Sequence, residues 1–376
     1  MKSRHRRIPY ATALLLTLIL CLVPVRAADT LPAQLSDEEF WKLVSTMSEP
    51  DGSFISDNYV SNERSYQDVF EDLVKGHQPS SAYIGVGPEQ NFTYILALKP
   101  KIAFIVDIRR QNLIEHLMYK ALFELSADRA EFLSRLFSRP LPRDLDRSAS
   151  IGTLLDALSP PPPNLETFDK NLEAIENQLI KVHGFSLTST DRASLQKVYV
   201  AFSAGGPSLT YNGPVAPPGV MPGFGEIVRL TARDGINRGF LANEANYKWI
   251  RELQKKNLLI PVVGDFAGPR ALKAVGEYLN SHAATVSAFY TSNVEQYLFQ
   301  NNVWKGFYGN VGTLPINSNS VFVRGVIVSP NGEYSPSPVL PFTSHYETGL
   351  FSISELVQEF RKGNVLAYND IVSHRL

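Results

Sequence analysis

Two glycines and an aspartate are the residues of this sequence whose types and spacing most directly suggest ligand chemistry. Gly85 and Gly87 end an apolar segment, and Asp107 ends the next apolar segment, twenty residues after Gly87. A glycine turn lets a ligand approach the backbone and leaves the first N–H groups of the following helix unpaired. An acid at this distance accepts hydrogen bonds from ribose hydroxyls in nucleotide-binding sheets. The pattern predicts a nucleoside site, with a purely structural strand-to-helix turn as the alternative.

Glu89 narrows the kind of ligand. Dinucleotide-binding turns carry a third glycine, but the sequence after Gly87 reads Pro-Glu-Gln, and a glutamate there repels a pyrophosphate. The carboxylate of Glu89 suits a cationic or neutral ligand, such as the amino acid part of S-adenosylmethionine.

The elements that must position these residues alternate along the chain. Helical patterns separate five apolar runs of strand length, and a strand, helix and strand in so few residues predict a parallel pair with a right-handed crossover. We therefore expect an α/β fold with a doubly wound, Rossmann-like, mostly parallel sheet, whose ligand crevice lies at the carboxyl ends of the strands. The predicted strands are 82–87, 101–107, 258–263, 285–290 and 321–328.

The rest of the chain predicts additions to this sheet. A single long helix is expected over 111–137, and a proline- and glycine-rich stretch without periodicity predicts a long loop over 205–225. The predicted regions are a signal peptide (1–27), a helical N-terminal extension (28–80), the first half of the sheet domain (81–137), a Pro-rich insertion or lid (138–240), the second half (241–330) and a C-terminal tail with a helix (331–376).

The N-terminus predicts export. Basic residues precede a short apolar run, and small residues follow it up to Ala27, as in a cleaved secretory signal peptide. Cleavage there changes the net charge from -1 to about -6 and removes Cys21, the single cysteine. We expect a periplasmic or extracellular protein with no disulfide, no transmembrane segment in the mature chain and no electrostatic signature of nucleic acid binding.

Four segments, taken in order, resemble the first to fourth motifs of class I S-adenosylmethionine-dependent methyltransferases. The four segments end at Gly87, Asp107, Phe266 and Asn293. Longer stretches of the sequence also resemble an uncharacterised bacterial exported family built on the same fold. The resemblance implies S-adenosylmethionine as the cofactor. It implies that Gly85 and Gly87 pass the methionine part, Asp107 holds the ribose, Asp265 and Phe266 flank the adenine, and Tyr290, Ser292 and Asn293 face the transfer site.

Two functions remain open at this point. One is S-adenosylmethionine-dependent methyl transfer to an unidentified acceptor. The other is non-catalytic binding or interaction by an exported protein that retains the fold, because exported proteins do not ordinarily meet this cofactor.

Other chemistry-bearing residues have more ordinary interpretations. Ser203 stands in a loose version of a nucleophile elbow, but a glycine-proline turn follows where the elbow needs a helix. The histidines show no spacing typical of a metal site, so none is expected. We interpret His116, with Glu115 and Lys120, as a solvated helix face and residues 344–347 as a polar loop. Asn243 and Glu244 fit a capped helix start, and nearby Asp234 or Arg238 would close on a ligand if the insertion folds over the crevice.

Overall fold

The computed structural model describes residues 29–76, 81–159, 162–214, 221–337, 345–373 and 375–376. The predicted signal peptide and its cleavage site lie outside these residues. The described chain is a mixed α/β protein built on one six-stranded, mostly parallel sheet. Its strands are β1 (Ala82–Gly85), β2 (Ile102–Asp107), β3 (Leu259–Val263), β4 (Val286–Ser292), β5 (Val321–Val328) and β6 (His345–Ser352).

The sheet has the spatial order β3-β2-β1-β4-β5-β6. The first five strands are parallel to their neighbours, and β6 is antiparallel to β5. The chain therefore fills one side of β1 first and then crosses to the other side at β4. Every residue of β1, β2, β3 and β5 is buried, as expected when both faces of a parallel sheet are covered.

The five predicted strands are confirmed, whereas β6 is absent from the prediction. The parallel strands are continuous apolar runs, which sequence patterns reveal. The start of β6 is polar and at least partly exposed, and only its second half is buried. The interpretation of His345–Glu347 as a loop is wrong, because these residues begin β6. An exposed start of an edge strand can be polar, so no apolar run marks it in the sequence.

Helices form most of the remaining chain. The described helices are α1 (Asp37–Met47), α2 (Phe70–Gly76), α3 (Gln90–Leu98), α4 (Arg110–Leu125), α5 (Arg129–Phe137), α6 (Ile151–Leu158), α7 (Leu165–Asn177), α8 (Ser189–Gly205), α9 (Phe224–Arg229), α10 (Glu244–Lys255), α11 (Ala271–Ser281), α12 (Val294–Gln300), α13 (Trp304–Val311), α14 (Ile353–Arg361) and α15 (Tyr368–Val372), with a π-turn at Gln178–Val182 and a 3-10 turn at Gly206–Ser208.

The single long helix expected over 111–137 is instead two helices. Ser126 has extended backbone angles at the end of α4, and the side chain of Asp128 accepts a hydrogen bond from Glu131 N at the start of α5. Aspartate is a favoured N-cap because it satisfies a free helix N–H. The leucine periodicity continues across this break and conceals it.

The predicted N-terminal extension contains the helix α1, which begins with a capping box between Ser36 and Glu39. This helix, α1, packs against β3 and α11, while α8 packs along α4 and α5. The described part of the loop expected over 205–225 contains no regular strand. It has the 3-10 turn and isolated bridges from Thr210 to Gly213 and Gly223, and it ends at the start of α9. Local bridges of this kind leave no periodic pattern in a sequence.

One hydrophobic core joins these parts. It includes Phe40 of α1, Phe104 of β2, Phe202 of α8 and Phe322 of β5. Within the described residues, no helix is both long and apolar enough to cross a membrane.

Candidate functional site

A cleft of about 1050 Å³ lies where the chain leaves β1 and β4. Its walls come from the N-terminal segment, the glycine turn, the insertion, the start of α12 and the start of β6. Pockets of a few hundred to a thousand cubic ångströms are typical small-molecule sites. The cleft is lined by residues 54–56, 58, 61–65, 68, 86–88, 211–212, 221–222, 231–233, 290, 292–294, 297 and 345–346.

The glycine turn forms part of this wall, but its two glycines have different roles. Gly87 lines the cleft with φ +75°, and a side chain there would meet no atom within 4 Å. A side chain at Gly85 would come within 1.9 Å of the Asn91 Oδ1 atom. Asn91 in turn donates to the carbonyls of Val86 at 2.8 Å and Pro88 at 2.7 Å. Gly85 therefore makes room for the asparagine that holds the turn and does not itself line the cleft.

Asp107 lies outside the cleft and is bound by Arg109. Its Oδ1 accepts from the backbone N–H of Arg109 at 2.9 Å, and its two oxygens each accept from the guanidinium at 3.2 Å. The guanidinium also donates to the carbonyls of Ser56 at 2.9 Å and Asp57 at 2.5 Å. Burial lowers the pKa of Arg109, but the charge and hydrogen bonds of Asp107 outweigh this and raise it. A ribose would have to displace this arginine.

Asp265 and Phe266 also lie outside the cleft. Phe266 packs in the core between Phe289, at 5.0 Å between ring centroids, and Phe307, at 5.4 Å. Glu49 accepts hydrogen bonds from the backbone N–H of Asp265 at 3.1 Å and of Ala271 at 2.9 Å. A carboxylate from the N-terminal segment thus occupies the start of α11.

The three residues expected to face a transfer site do line the cleft. The hydroxyls of Tyr290 and Ser292 donate to Glu63 Oε1 at 2.8 and 2.5 Å. Ser292 has φ +51°, a left-handed conformation that costs a non-glycine residue about 1–2 kcal/mol. Asn293 follows at the start of α12. Strained residues of this kind often occur at functional sites.

Glu63 is a wall residue that the sequence did not reveal. It is 3% exposed, and besides the two hydroxyls it accepts from Gln90 Nε2 at 3.0 Å. A side chain at Gly325, in the middle of β5, would come within 2.9 Å of Glu63. A glycine inside a strand signals close approach by another group, and Gly325 is the one sequence signal that points to this contact.

Aromatic rings and paired charges complete the cleft. Tyr211, Tyr297 and Tyr346 line it, and Phe54 meets Tyr297 edge-on at 5.1 Å. The cations of the lining are largely neutralised, as Arg233 Nε lies 3.1 Å from Asp68 and Arg64 pairs with Glu226. The aromatic and cationic groups of the wall include Phe54, Tyr211, Tyr297, Tyr346, Arg64, Arg233 and His345. Such a wall suits a ligand with a ring and polar groups rather than a highly charged one.

The remaining sequence candidates lie elsewhere. Ser203 is buried within α8, and Asp234 and Arg238 form an ion pair outside the cleft. The interpretation of Glu115, His116 and Lys120 as a solvated face is wrong, because all three side chains are buried.

Glu89 is buried behind the glycine turn and does not line the cleft. Its Oε1 accepts from Ser61 N at 3.1 Å, and burial raises its pKa from 4.5 to about 7. Among the described residues, no group of three or more His, Cys, Asp or Glu side chains is arranged to hold a metal ion.

Comparison with known proteins finds one matching family. Its model is described as "Domain of unknown function (DUF7790)" and matches residues 58–140 and 147–360. No curated protein matches the chain significantly.

Proposed function

The chain belongs to the DUF7790 family, a domain of unknown function, and we propose that it binds a nucleoside-type ligand, most concretely S-adenosylmethionine, in the cleft. One observation carries the proposal. Gly87 and Ser292, from motifs that lie far apart in the sequence, line the same cleft at the ends of β1 and β4.

The position of this cleft in the sheet supports the proposal. The order β3-β2-β1-β4-β5-β6 reverses between β1 and β4. Ligands of doubly wound Rossmann-like sheets bind outside the carboxyl ends of the strands at this reversal, and the same spatial order is described for dinucleotide-binding sheets. Together with the class I methyltransferase resemblance, this placement favours a nucleoside over an unrelated ligand.

The ligand position that we propose is displaced from the one that the resemblance implies. Arg109 binds Asp107, and Phe266 is packed in the core. In our proposal, rings such as Tyr297 replace Phe266 as stacking partners for the base, and no ribose contact to Asp107 is needed.

Calorimetry with S-adenosylmethionine and S-adenosylhomocysteine tests this proposal. We expect binding by the purified protein, weakened about tenfold or more by Tyr297→Ala because a base loses its stacking surface. Tyr278→Ala is the matched control, since Tyr278 is also half-buried but lies outside the cleft. Absence of heat at millimolar ligand would refute the proposal, as would equal affinities for the two variants.

An Asp107→Asn variant separates the two ligand positions. If the ligand lies in the cleft, its affinity changes little. A tenfold or larger loss in this variant, with Tyr297→Ala binding normally, would restore the position implied by the resemblance.

A second candidate function is non-catalytic binding by the same cleft. It is favoured by the N-terminal segment, which places Glu49 and the carbonyls of Ser56 and Asp57 over strand ends where methyltransferase motifs would contact cofactor. Mass spectrometry of the ligand after prolonged incubation with the protein and host extract distinguishes the functions. Conversion to S-adenosylhomocysteine above a Tyr297→Ala control indicates transfer, whereas recovery of intact ligand indicates binding alone.

A further inference from the structure

Four polar side chains form a buried stripe on α4. Asn112, Glu115, His116 and Tyr119 have the spacing i, i+3, i+4 and i+7, which places them on one face of a helix. Each is at most 2% exposed. Such a stripe is costly to bury unless its polar atoms find partners.

Most polar atoms of this stripe have no partner among the described residues. Both amide atoms of Asn112, both carboxyl oxygens of Glu115, the Tyr119 hydroxyl and His116 Nδ1 are buried without a hydrogen bond. Glu89 Oε2 is buried and unpartnered in the same way. Because folded proteins pair nearly all buried polar groups with protein or ordered water, this many in one place makes this face of α4 a candidate binding site.

The protonation state of His116 can be assigned from its contacts. Its Nε2 lies 2.9 Å from the Gly87 carbonyl, which only accepts, so Nε2 carries the hydrogen. Burial lowers the pKa of His116 to about 4, so the ring is neutral near pH 7. The unpartnered Nδ1 is therefore a bare acceptor.

Acceptors outnumber donors in this cluster. Only the Asn112 amide nitrogen and the Tyr119 hydroxyl have hydrogen to donate while both carboxylates are ionised. The charged groups that act on Glu115 are Glu89, Asp107 and Asp57 on the acidic side and Arg109 on the basic side. Burial, and then the charge of Glu89, raises the pKa of Glu115 well above its usual value. Without a cation this shift favours the protonated, neutral carboxyl, and a cation that binds here takes the place of that proton.

We propose that this face of α4, together with Glu89, is a binding site for a small organic cation of the ammonium or guanidinium class. Such a cation brings several N–H donors and the positive charge that would stabilise both carboxylates in their ionised form. Aromatic rings offer it further attraction, since Phe92 and Tyr119 meet edge-on at 5.4 Å. We call this the α4 site.

The α4 site is distinct from the cleft. The Gly87 carbonyl binds His116 of the α4 site, while Gly87 also lines the cleft. None of Glu89, Asn112, Glu115, His116 and Tyr119 lines the cleft. The inference therefore does not depend on the nucleoside proposal.

Thermal unfolding of the full chain with added cations tests the proposal. The probes are methylammonium and methylguanidinium, compared with tetramethylammonium, which has no N–H donor, and with sodium at equal ionic strength. We expect the first two to raise Tm by several degrees at high millimolar concentration and the latter two to leave it unchanged. Calorimetry at pH 6 in buffers of different ionisation heat should also show proton release, because the cation binds ionised carboxylates.

Two variants make the test specific. Glu115→Gln should weaken the response at least tenfold, whereas Glu173→Gln, on the exposed face of α7, should respond like the wild type. Tyr297→Ala, in the cleft, should also respond normally. If neither methylammonium nor methylguanidinium raises Tm more than sodium does, the proposal is refuted and the cluster holds water only. The same conclusion follows if these cations raise the Tm of Glu115→Gln as much as that of the wild type. If Glu115→Gln does not fold, the calorimetry of the wild type replaces it. Proton release on addition of methylammonium then supports the proposal, and its absence refutes it.

Discussion

Glu63 connects three elements at the wall of the cleft. Its carboxylate accepts from Tyr290 and Ser292 at the end of β4 and from Gln90 at the start of α3. Hydrogen bonds to a buried charge are stronger than neutral ones, and donors left without an acceptor carry a desolvation cost. The stability of the wall therefore depends on this one residue of the N-terminal segment.

Removal of this carboxylate should destabilise the protein. We expect Glu63→Ala to lower the free energy of unfolding by about 3 kcal/mol, and Glu63→Gln, which keeps an acceptor, by about 1 kcal/mol. Urea unfolding at pH 7 measures both, with Glu173→Ala as a control at an exposed position. A Glu63→Ala protein as stable as the control would mean that the three donors find other partners.

Glu89 should make stability depend on pH. Burial raises its pKa from 4.5 to about 7, so the folded state binds the proton more tightly than the unfolded state. The contribution of Glu89 to the free energy of unfolding is fully present below about pH 4.5. It is lost as the pH rises towards 7, and the total loss is about 3 kcal/mol. Glu89→Gln should remove this part of the decline between pH 5 and pH 8 in urea unfolding. Parallel pH profiles for the variant and the wild type would contradict the assignment.

At the scale of elements, His183 ties the N-terminal helix to α4. Its Nδ1 lies 2.8 Å from Asp37 of α1, and its Nε2 lies 2.6 Å from Glu124 of α4. Burial lowers the pKa of His183, but the hydrogen bond and charge of Glu124 outweigh this and raise it above 6.5. The imidazolium therefore holds two carboxylates from different helices.

This contact should weaken in alkaline solution. The stabilisation by His183 is fully present below the unfolded pKa of about 6.5 and is lost as pH rises through the higher folded pKa. We expect His183→Ala to destabilise the protein more at pH 6 than at pH 9 in urea unfolding. His282→Ala, at a histidine that contacts Tyr278, is the control. A larger loss at pH 9 than at pH 6 would reverse the assigned charge state.

Sequence patterns reveal the elements that are apolar throughout and miss those that are not. The parallel strands are buried on both faces and read as continuous apolar runs, whereas β6 begins with polar residues at an edge. In the cleft, Gly87 and Ser292 were predictable because they lie at or just after the carboxyl ends of apolar strands. The Glu63 contact and the carbonyls of Ser56 and Asp57 that bind Arg109 were not, since they depend on where the N-terminal segment lies in space.

At the scale of the whole molecule, one core predicts one unfolding transition. Phe40 of the N-terminal helix, Phe202 of the insertion and Phe322 of the sheet belong to the same hydrophobic cluster. We expect calorimetry to show a single peak whose van't Hoff and calorimetric enthalpies agree. Limited proteolysis followed by a second scan is the control for independently stable fragments. Two resolved peaks would show that the insertion unfolds as a separate unit.

The N-terminal segment also determines when folding can finish. Glu49 binds Ala271, 222 residues away, and Ser65 binds Thr348, 283 residues away. The segment is synthesised long before either of these partners. Contacts of such long range slow folding, because a long loop must close before they contribute. The contacts of this segment therefore cannot be completed before Ala271 and Thr348 have been synthesised, and a nascent chain lacks this cover until then.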